Sequence, residues 1–414
     1  MTNRRLSRHT LILTANNVGS AGLSFLLSVL IGRTLGKEGL GVYAAVLAWM
    51  FPLGLMAEFG VNTLMTREVA QHPSLGEDYL RLALRTYCAM GCAWLVALFF
   101  CAPLLVSDPA VVDGLRLSSP LLLIAPCFGA FTALFRAKGD MLPIPLLNIG
   151  MWSAQFVLTL AAFLMGGGIV AALVINVLTS AGQLAAAWWV YRLRFAAPPS
   201  GLALRMLPLL RRALPFALGA ALVALQARAS TILLERLSDT GETGYYAAAN
   251  RFIEAGRMLP NAFFGALFPA LAALAMQPLE MRRIFRRALL TLGAFGLAFG
   301  VGGLLFAPLL TSLYGDDFLP SIPVLQALAW ALLPALLRAA LTLYAYAKGH
   351  EAFANGVTAV MLVLQVALGL WLIPVSGAVG AAWITLGVEV IGCALMALAL
   401  RLHQRALSSE SNAG

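Results

Sequence analysis

The sequence predicts an all-α polytopic membrane protein of about twelve transmembrane helices. They form two six-helix bundles related by a pseudo-two-fold axis along the membrane normal. Three observations lead there. Hydrophobic residues make up 61% of the 414 and charged residues only 11%, with a mean hydropathy of +0.86, outside the range of soluble domains. The apolar residues gather in long runs separated by short polar connections. The order of motifs in the first half recurs in the second.

A spanning helix needs about 20 apolar residues. Runs of that kind lie at 11–34, 40–66, 83–106, 117–136, 141–165, 169–191, 213–234, 244–274, 288–313, 319–347, 352–373 and 378–400. Glycine runs divide the pairs at 141–191 and 352–400. The first bundle covers 1–194, a basic cytoplasmic linker with Pro198 and Pro199 covers 195–212, the second bundle covers 213–401, and 402–414 form a cytoplasmic tail. The longest connection, Arg192–Arg212, is too short for a catalytic or nucleotide-binding module. Every outer loop is short, so no enzyme is expected, and no Gly-x-x-x-x-Gly-Lys-Ser/Thr is present, so this chain is not expected to hydrolyse ATP.

The net charge of +10 is distributed by side of the membrane. With the N-terminus inside, most of the 28 basic residues fall in cytoplasmic segments, among them Arg4, Arg5, Arg8, Arg136, Lys138, Arg211, Arg282, Arg283 and Lys348. The outer loops hold Arg33, Lys37, Arg116 and Arg236. This is a positive-inside bias with both termini cytoplasmic, and it points to a lipid bilayer with anionic headgroups rather than to nucleic acid. The first run starts after Arg8, is long and lacks a small-residue cleavage site, so no cleavable signal peptide is expected. Cys88, Cys92, Cys101, Cys127 and Cys393 sit in or beside apolar runs without His or carboxylate neighbours, which predicts packing residues and no metal. Asp316 and Asp317 on an outer turn face water, and no cofactor is implied.

The chain is written twice. Gly41-Val42-Tyr43-Ala44-Ala45 superposes on Gly244-Tyr245-Tyr246-Ala247-Ala248 at a shift of 203, which also puts Arg33 on Arg236. Ala137-Lys138-Gly139-Asp140 recurs as Ala347-Lys348-Gly349-His350 at a shift of 210. Gly168 and Ala172 correspond to Gly377 and Ala381 at 209. Six spans per half is an even number, so the halves enter from one side as parallel repeats, which implies a path between two bundles and alternating access.

The halves differ where chemistry would sit. Asn250, Glu254, Arg257 and Asn261 succeed one another at steps of four, three and four, one stripe on a helix, with Arg251 beside it. An ionised residue at mid-membrane costs about 2.5–3.5 kcal/mol on insertion scales, against a gain of about 0.3–0.6 for a Leu or Phe. The stripe must therefore face protein or a water-filled cavity. It is either an internal Arg–Glu–Arg clamp or a binding site, and the trio leaves one positive charge over. Arg228, Arg251, Glu254 and Arg257 superpose on Phe25, Ala48, Phe51 and Gly54, so the first half is apolar or small at these places. Arg338, Glu58 and Glu389 are the other charges in spans; each is a cavity group or an interhelical partner. The excess of Arg suits an anionic ligand such as a phosphate. Asn16, Ser20 and Ser24, at steps of four, form either a close-packing strip or a cavity wall. Arg33 and Arg236 are candidates for an outer mouth, and Glu58, Arg67 and Glu68 for an inner one, where salt bridges would lock one conformation.

Three stretches, GRTLGKEGLGVYA (Gly32–Ala44), EFGVNTLMTREVA (Glu58–Ala70) and LYGDDFLPSIPVLQAL (Leu313–Leu328), resemble the bacterial polysaccharide flippases of the multidrug/oligosaccharidyl-lipid/polysaccharide exporter superfamily. The resemblance implies transport of a polyprenyl-diphosphate-linked glycan across the bacterial cytoplasmic (inner) membrane through a positively charged cavity. Glu58-Phe59-Gly60 stands where the family often has Asp-Phe-Gly or Asp-Leu-Gly, which keeps the carboxylate. Relatives that flip the peptidoglycan precursor usually have two further spans, absent here. Glu254 is the leading candidate for proton or sodium coupling, with a structural pairing role as its alternative. A multidrug and toxin extrusion antiporter shares the superfamily but would favour cavity carboxylates for cationic drugs.

Overall fold

The computed structural model describes the backbone of residues 3–411 apart from 197, 199–204 and 275–276. Side chains are described from 16 to 400, apart from those residues and 215, 266, 272, 278 and 351. Residues 197 and 199–204 of the linker 195–212, and the side chains of Arg4, Arg5, Arg8, Arg401 and Arg405, therefore lie outside the described residues. The chain divides into two compact units, Met1–Gly244 and Tyr245–Gly414.

The first unit begins with α1 (Asn3–Glu58), broken at Gly36, whose backbone is non-helical at φ 67°. It continues with α2 (Val61–Gln71), α3 (Gly76–Leu105), α4 (Pro109–Ser118), α5 (Leu121–Ala137), α6 (Pro143–Leu164), α7 (Ile169–Arg194) and α8 (Met206–Leu237). α9 (Thr240–Gly256) crosses into the second unit, which holds α10 (Met258–Ala273), α11 (Pro278–Leu305), α12 (Leu309–Tyr314), α13 (Ser321–Ala347) and α14 (Glu351–Ser411). α14 is broken at Gly377, at φ 53°. A positive φ costs glycine little, so each break sits where the chain can turn without strain.

Eight described helices are long and apolar enough to cross a membrane, nine if α4 and α5, bent by 41°, are one span. The breaks at Gly36 and Gly377 make α1 and α14 double, and α9 with α10 reads as one interrupted span. This is compatible with twelve crossings. Several boundaries differ from the sequence expectation, α3, α8 and α11 starting earlier and two spans ending short. The second span stops at Glu58 rather than 66, because Phe59 (φ 52°) and Gly60 (φ 68°) turn the chain. Beyond that turn the chain forms the separate helix α2, which buries Val61, Leu64, Met65 and Val69 along one face and carries Arg67 and Glu68 on the rest. The ninth span ends at Leu305, and Pro308 and Gly315 bracket the short α12.

In the first unit α2 packs into a core with Tyr79, Leu80, Ala83 and Tyr87 of α3 and Phe131, Leu134 and Phe135 of α5. In the second, α13 is buried along most of its length. Gly296, Gly300 and Gly303 of α11 lie against Leu333, Trp330 and Ala329 of α13, the small-residue contact that lets membrane helices approach closely.

The repeat is visible in the backbone. Ala137-Lys138-Gly139-Asp140 and Ala347-Lys348-Gly349-His350 end α5 and α13 with the same turn: glycine at φ 77° and 78°, and a 3.0 Å bond from Asp140 N–H to Phe135 O and from His350 N–H to Ala345 O. Gly41 and Gly244 meet each other. A Cβ on Gly41 would lie 1.7 Å from the Thr240 carbonyl oxygen, and one on Gly244 would lie 2.0 Å from the Lys37 carbonyl oxygen. Lys37 and Thr240 are themselves matched at the 203 shift. The contact is thus isologous, each motif presenting the same surface to its copy.

Gly41→Val or Gly244→Val is expected to lower the thermal unfolding midpoint of the purified protein in detergent by more than a typical overpacking cost of about 1–3 kcal/mol, because backbone rather than a side chain is in the way. Gly22→Ala, where a Cβ meets nothing within 4 Å, is the neutral control.

Candidate anion-binding site

The charged stripe falls at the junction of α9 and α10. Pro260, in the first turn of α10, has no N–H to offer the Gly256 carbonyl, and the helix loosens there. Arg257 occupies the turn between the two helices. The bonds from Arg257 N–H to Ile253 O (3.0 Å) and from Asn261 N–H to Arg257 O (2.9 Å) carry the helical register across it. The stripe therefore survives the interruption. Gly256 leaves no room for a side chain, since a Cβ would lie 2.2 Å from Phe299 of α11.

Glu254 is held from both sides. Arg251 Nη1 donates to its Oε2 at 2.8 Å, and Asn250 Nδ2 donates to its Oε1 at 3.3 Å. The Arg251 and Glu254 side chains are 19% and 31% exposed. Arg257 and Asn261 are exposed, and among the described residues no carboxylate lies within ion-pair distance of Arg257. One acid thus answers one of two arginines, and the Arg257 guanidinium is exposed.

The other expected residues lie elsewhere. Arg338 of α13 is bound to Glu389 of α14 through two bonds, Nε to Oε2 at 2.7 Å and Nη2 to Oε1 at 3.0 Å, with side chains 17% and 7% exposed. Arg228 of α8, in the first unit, sits over the Phe51 ring with its guanidinium carbon 5.2 Å from the centroid. Asn16 is buried and accepts from Asn148 Nδ2 at 3.0 Å, while Gln183 Nε2 donates to Asn148 Oδ1 at 2.8 Å. Ser20 and Ser24 are half-buried on α1.

Among the mouth candidates, Glu68 accepts from Arg212 Nη2 and, at 3.4 Å, from Tyr79 OH, so α8 is clasped to α2 and α3. Arg67 is exposed, and Glu58 is half-buried at the end of α1. Near the other end of α8, Arg236 Nη1 donates to Ser107 Oγ at 3.0 Å, and Arg33 is exposed on α1. Two groups escaped the sequence reading. Glu235, 2% exposed, accepts from the Ser107 N–H at 2.9 Å just before α4. Gln155, fully buried, donates to Tyr43 OH at 3.1 Å, with Asn176 Nδ2 3.5 Å from the same oxygen. Asn148, Gln155 and Thr159, with Asn176, Thr179 and Gln183, recur at helical steps on neighbouring spans, a signal that would have found this network. Among the described residues no cluster of His, Cys, Asp or Glu is arranged to hold a metal.

Residues 6–275 match the family described as polysaccharide biosynthesis protein. The chain belongs to that family. A direct comparison with curated protein sequences found no match. The chain's fold is similar to that of an inward-facing multidrug resistance MATE family transporter of the MOP superfamily, with a TM-score of 0.78 at 16% identity over 98% of each chain. It is similar also to the lipid II flippase MurJ in an inward closed conformation, with 0.77 at 15% identity over 92% of this chain and 86% of that one. A MOP superfamily transporter from Pyrococcus furiosus matches with 0.68 at 16% identity over 97% and 96%. These likenesses show the fold, that of the MOP-type transporters, and the eight described helices long and apolar enough to cross a membrane support a multi-pass membrane protein. The family match includes the Asn250–Asn261 stripe, whereas the Arg338–Glu389 pair lies beyond it.

Removing one partner of that buried pair leaves an uncompensated charge, at a cost of about 3–5 kcal/mol. Glu389→Ala or Arg338→Ala alone should therefore lower thermal stability strongly, and the double variant should lose much less than the two losses added.

Proposed function

We propose that the protein is a flippase moving a polyprenyl-diphosphate-linked oligosaccharide or polysaccharide repeat unit from the cytoplasmic to the periplasmic leaflet by alternating access. Family membership supports a role in polysaccharide biosynthesis, and the transporter fold supports movement rather than catalysis. The observation that carries the reading is Arg257: an exposed guanidinium at a helix interruption, beside an arginine whose acid is already engaged. A diphosphate is the ligand that such a pair suits, because guanidinium offers paired donors to phosphate oxygens. Arg257 would take the head first. Arg251 would then exchange Glu254 for phosphate, and Asn250 and Asn261 would supply neutral donors. The exchange gives the ligand the differential affinity that a conformational change requires. Glu254, released, is the group we assign to proton or sodium coupling.

The same proposal sets the protein in the bacterial inner membrane with both termini cytoplasmic, and treats 1–194 and 213–401 as the two six-span repeats. Arg228, over Phe51, is assigned to a later position of the ligand. Asn16, Ser20 and Ser24 are assigned to the polar wall of the first repeat. Arg338, committed to Glu389, is assigned to holding α13 on α14. Glu58, Arg67 and the Arg212–Glu68 clasp are assigned to the inner mouth, and Arg33 and Arg236 to the outer.

In liposomes carrying a fluorescent polyprenyl-diphosphate sugar, Arg257→Ala should insert normally and lose leaflet exchange by roughly 10–100-fold, the scale of about 1.5–3 kcal/mol for a hydrogen bond to a charged group. Exchange at the wild-type rate would make the stripe structural. Extrusion of a cationic dye against a pH gradient, with no lipid movement, would make the protein an antiporter instead.

The clasp generates a separate expectation. Arg212 is 56% exposed, so the pair contributes only about 0–1 kcal/mol to stability. Arg212→Glu should slow or unbalance exchange with little change in unfolding midpoint, and adding Glu68→Arg should restore it.

A further inference from the structure

α11, α13 and α14 line an open cavity of ≈ 560 Å³ in the second unit. Its wall is formed by Phe285 of α11, Leu337, Leu341 and Tyr344 of α13, and Ala397 of α14, with Arg282 as the charged residue of the lining. The α13 lining from Leu337 to Tyr344 spans about 10 Å at 1.5 Å per residue, two helical turns. The Phe285 and Tyr344 rings pack at a 31° tilt with centroids 4.4 Å apart, and the Lys348 ammonium lies 5.2 Å from the Tyr344 ring centroid. Arg282 and Lys348, at the start of α11 and the end of α13, therefore bring two cations to one end of this apolar slot.

That end carries more charge still. Arg283, Arg286 and Arg287 are exposed on the first turns of α11, and Arg286 stands one helical turn along from Arg282, which lines the cavity. Glu280 is the acid of that helix's first turn. An occupant must be apolar along its length and anionic at its head. We propose that this is a binding site for a diacyl anionic phospholipid, one acyl chain lying in the slot and the phosphate held by Arg282, Arg286 and Lys348. The charge bias assigns this end to the cytoplasm, where anionic lipids attract juxtamembrane basic clusters. The lipid ties α11 to α13 and α14, and so fastens the scaffold that Gly256 of the stripe packs against through Phe299 of α11. The site shares no residue with the stripe, and its test does not depend on what the protein transports.

The full chain, purified in mild detergent, is examined by native mass spectrometry and thermal unfolding with phosphatidylglycerol, phosphatidylcholine, polyprenyl phosphate or inorganic phosphate. Phosphatidylglycerol should be retained and should raise the unfolding midpoint. Phosphatidylcholine should do neither. Arg282→Gln and Arg286→Gln should each weaken retention roughly fivefold, the scale of one basic residue facing an anionic headgroup. Ala397→Phe, which fills the slot, should weaken it with every arginine in place. Should that variant fold poorly, the arginine variants decide, since both positions are exposed. The proposal is overturned by equal retention of phosphatidylcholine, or by phosphatidylglycerol binding that the arginine changes leave untouched. Displacement of phosphatidylglycerol by polyprenyl phosphate would assign the slot to the carrier lipid, and the same stabilisation by inorganic phosphate would reduce it to an anion site; either result also overturns it.

Discussion

Two glycines, Gly41 and Gly244, carry the constraint on which the architecture rests. Each leaves its own backbone open to the backbone of the opposite motif, Gly41 facing Thr240 and Gly244 facing Lys37. Lipid tails are as apolar as leucine, so burial alone does not hold helices together in a membrane; close packing does. A contact made twice by matched residues also sets a geometry, because a self-complementary surface closes on itself and on nothing else. The repeated turns at Gly139 and Gly349 show the same economy at the ends of α5 and α13.

Within that frame the treatment of charge is uneven, and the unevenness is informative. Arg338 is met by Glu389 through two bonds and is nearly buried. Glu235 is spent on the amide before α4, and Glu68 on Arg212 and Tyr79. Arg251 has Glu254. Arg257, three residues further, stands exposed in a turn that Pro260 opens. Ionised groups are costly inside a membrane, and among the described residues Arg257 is exposed with no carboxylate in ion-pair distance, which is why the proposed function rests on it.

Some of this was legible in the residues. The Arg251–Glu254 contact is three residues apart, within reach on any helix, so its spacing announced it. The interruption at Arg257 was less plain, since a proline two positions into α10 bends a span without ending the apolar run. Expecting the second span to continue to 66 was reasonable on hydropathy, yet Phe59 and Gly60 turn the chain at a place where no apolar pattern changes. The Asn16–Asn148–Gln183 and Tyr43–Gln155–Asn176 networks were half legible. Their members recur at helical steps, but which span meets which is a matter of packing.

The sequence by itself determined the membrane class, the doubling of the chain and the charged stripe, because each depends on composition, on similarity at one offset, or on neighbours a helical turn apart. Tertiary structure alone decided that Arg338 would be answered by Glu389 across 51 residues, that Glu235 would cap a loop 128 residues away, and that α11, α13 and α14 would leave a slot with Arg282 at its edge. Helical periodicity fixes which residues share a face, whereas the identity of the face opposite is set only by how whole helices pack.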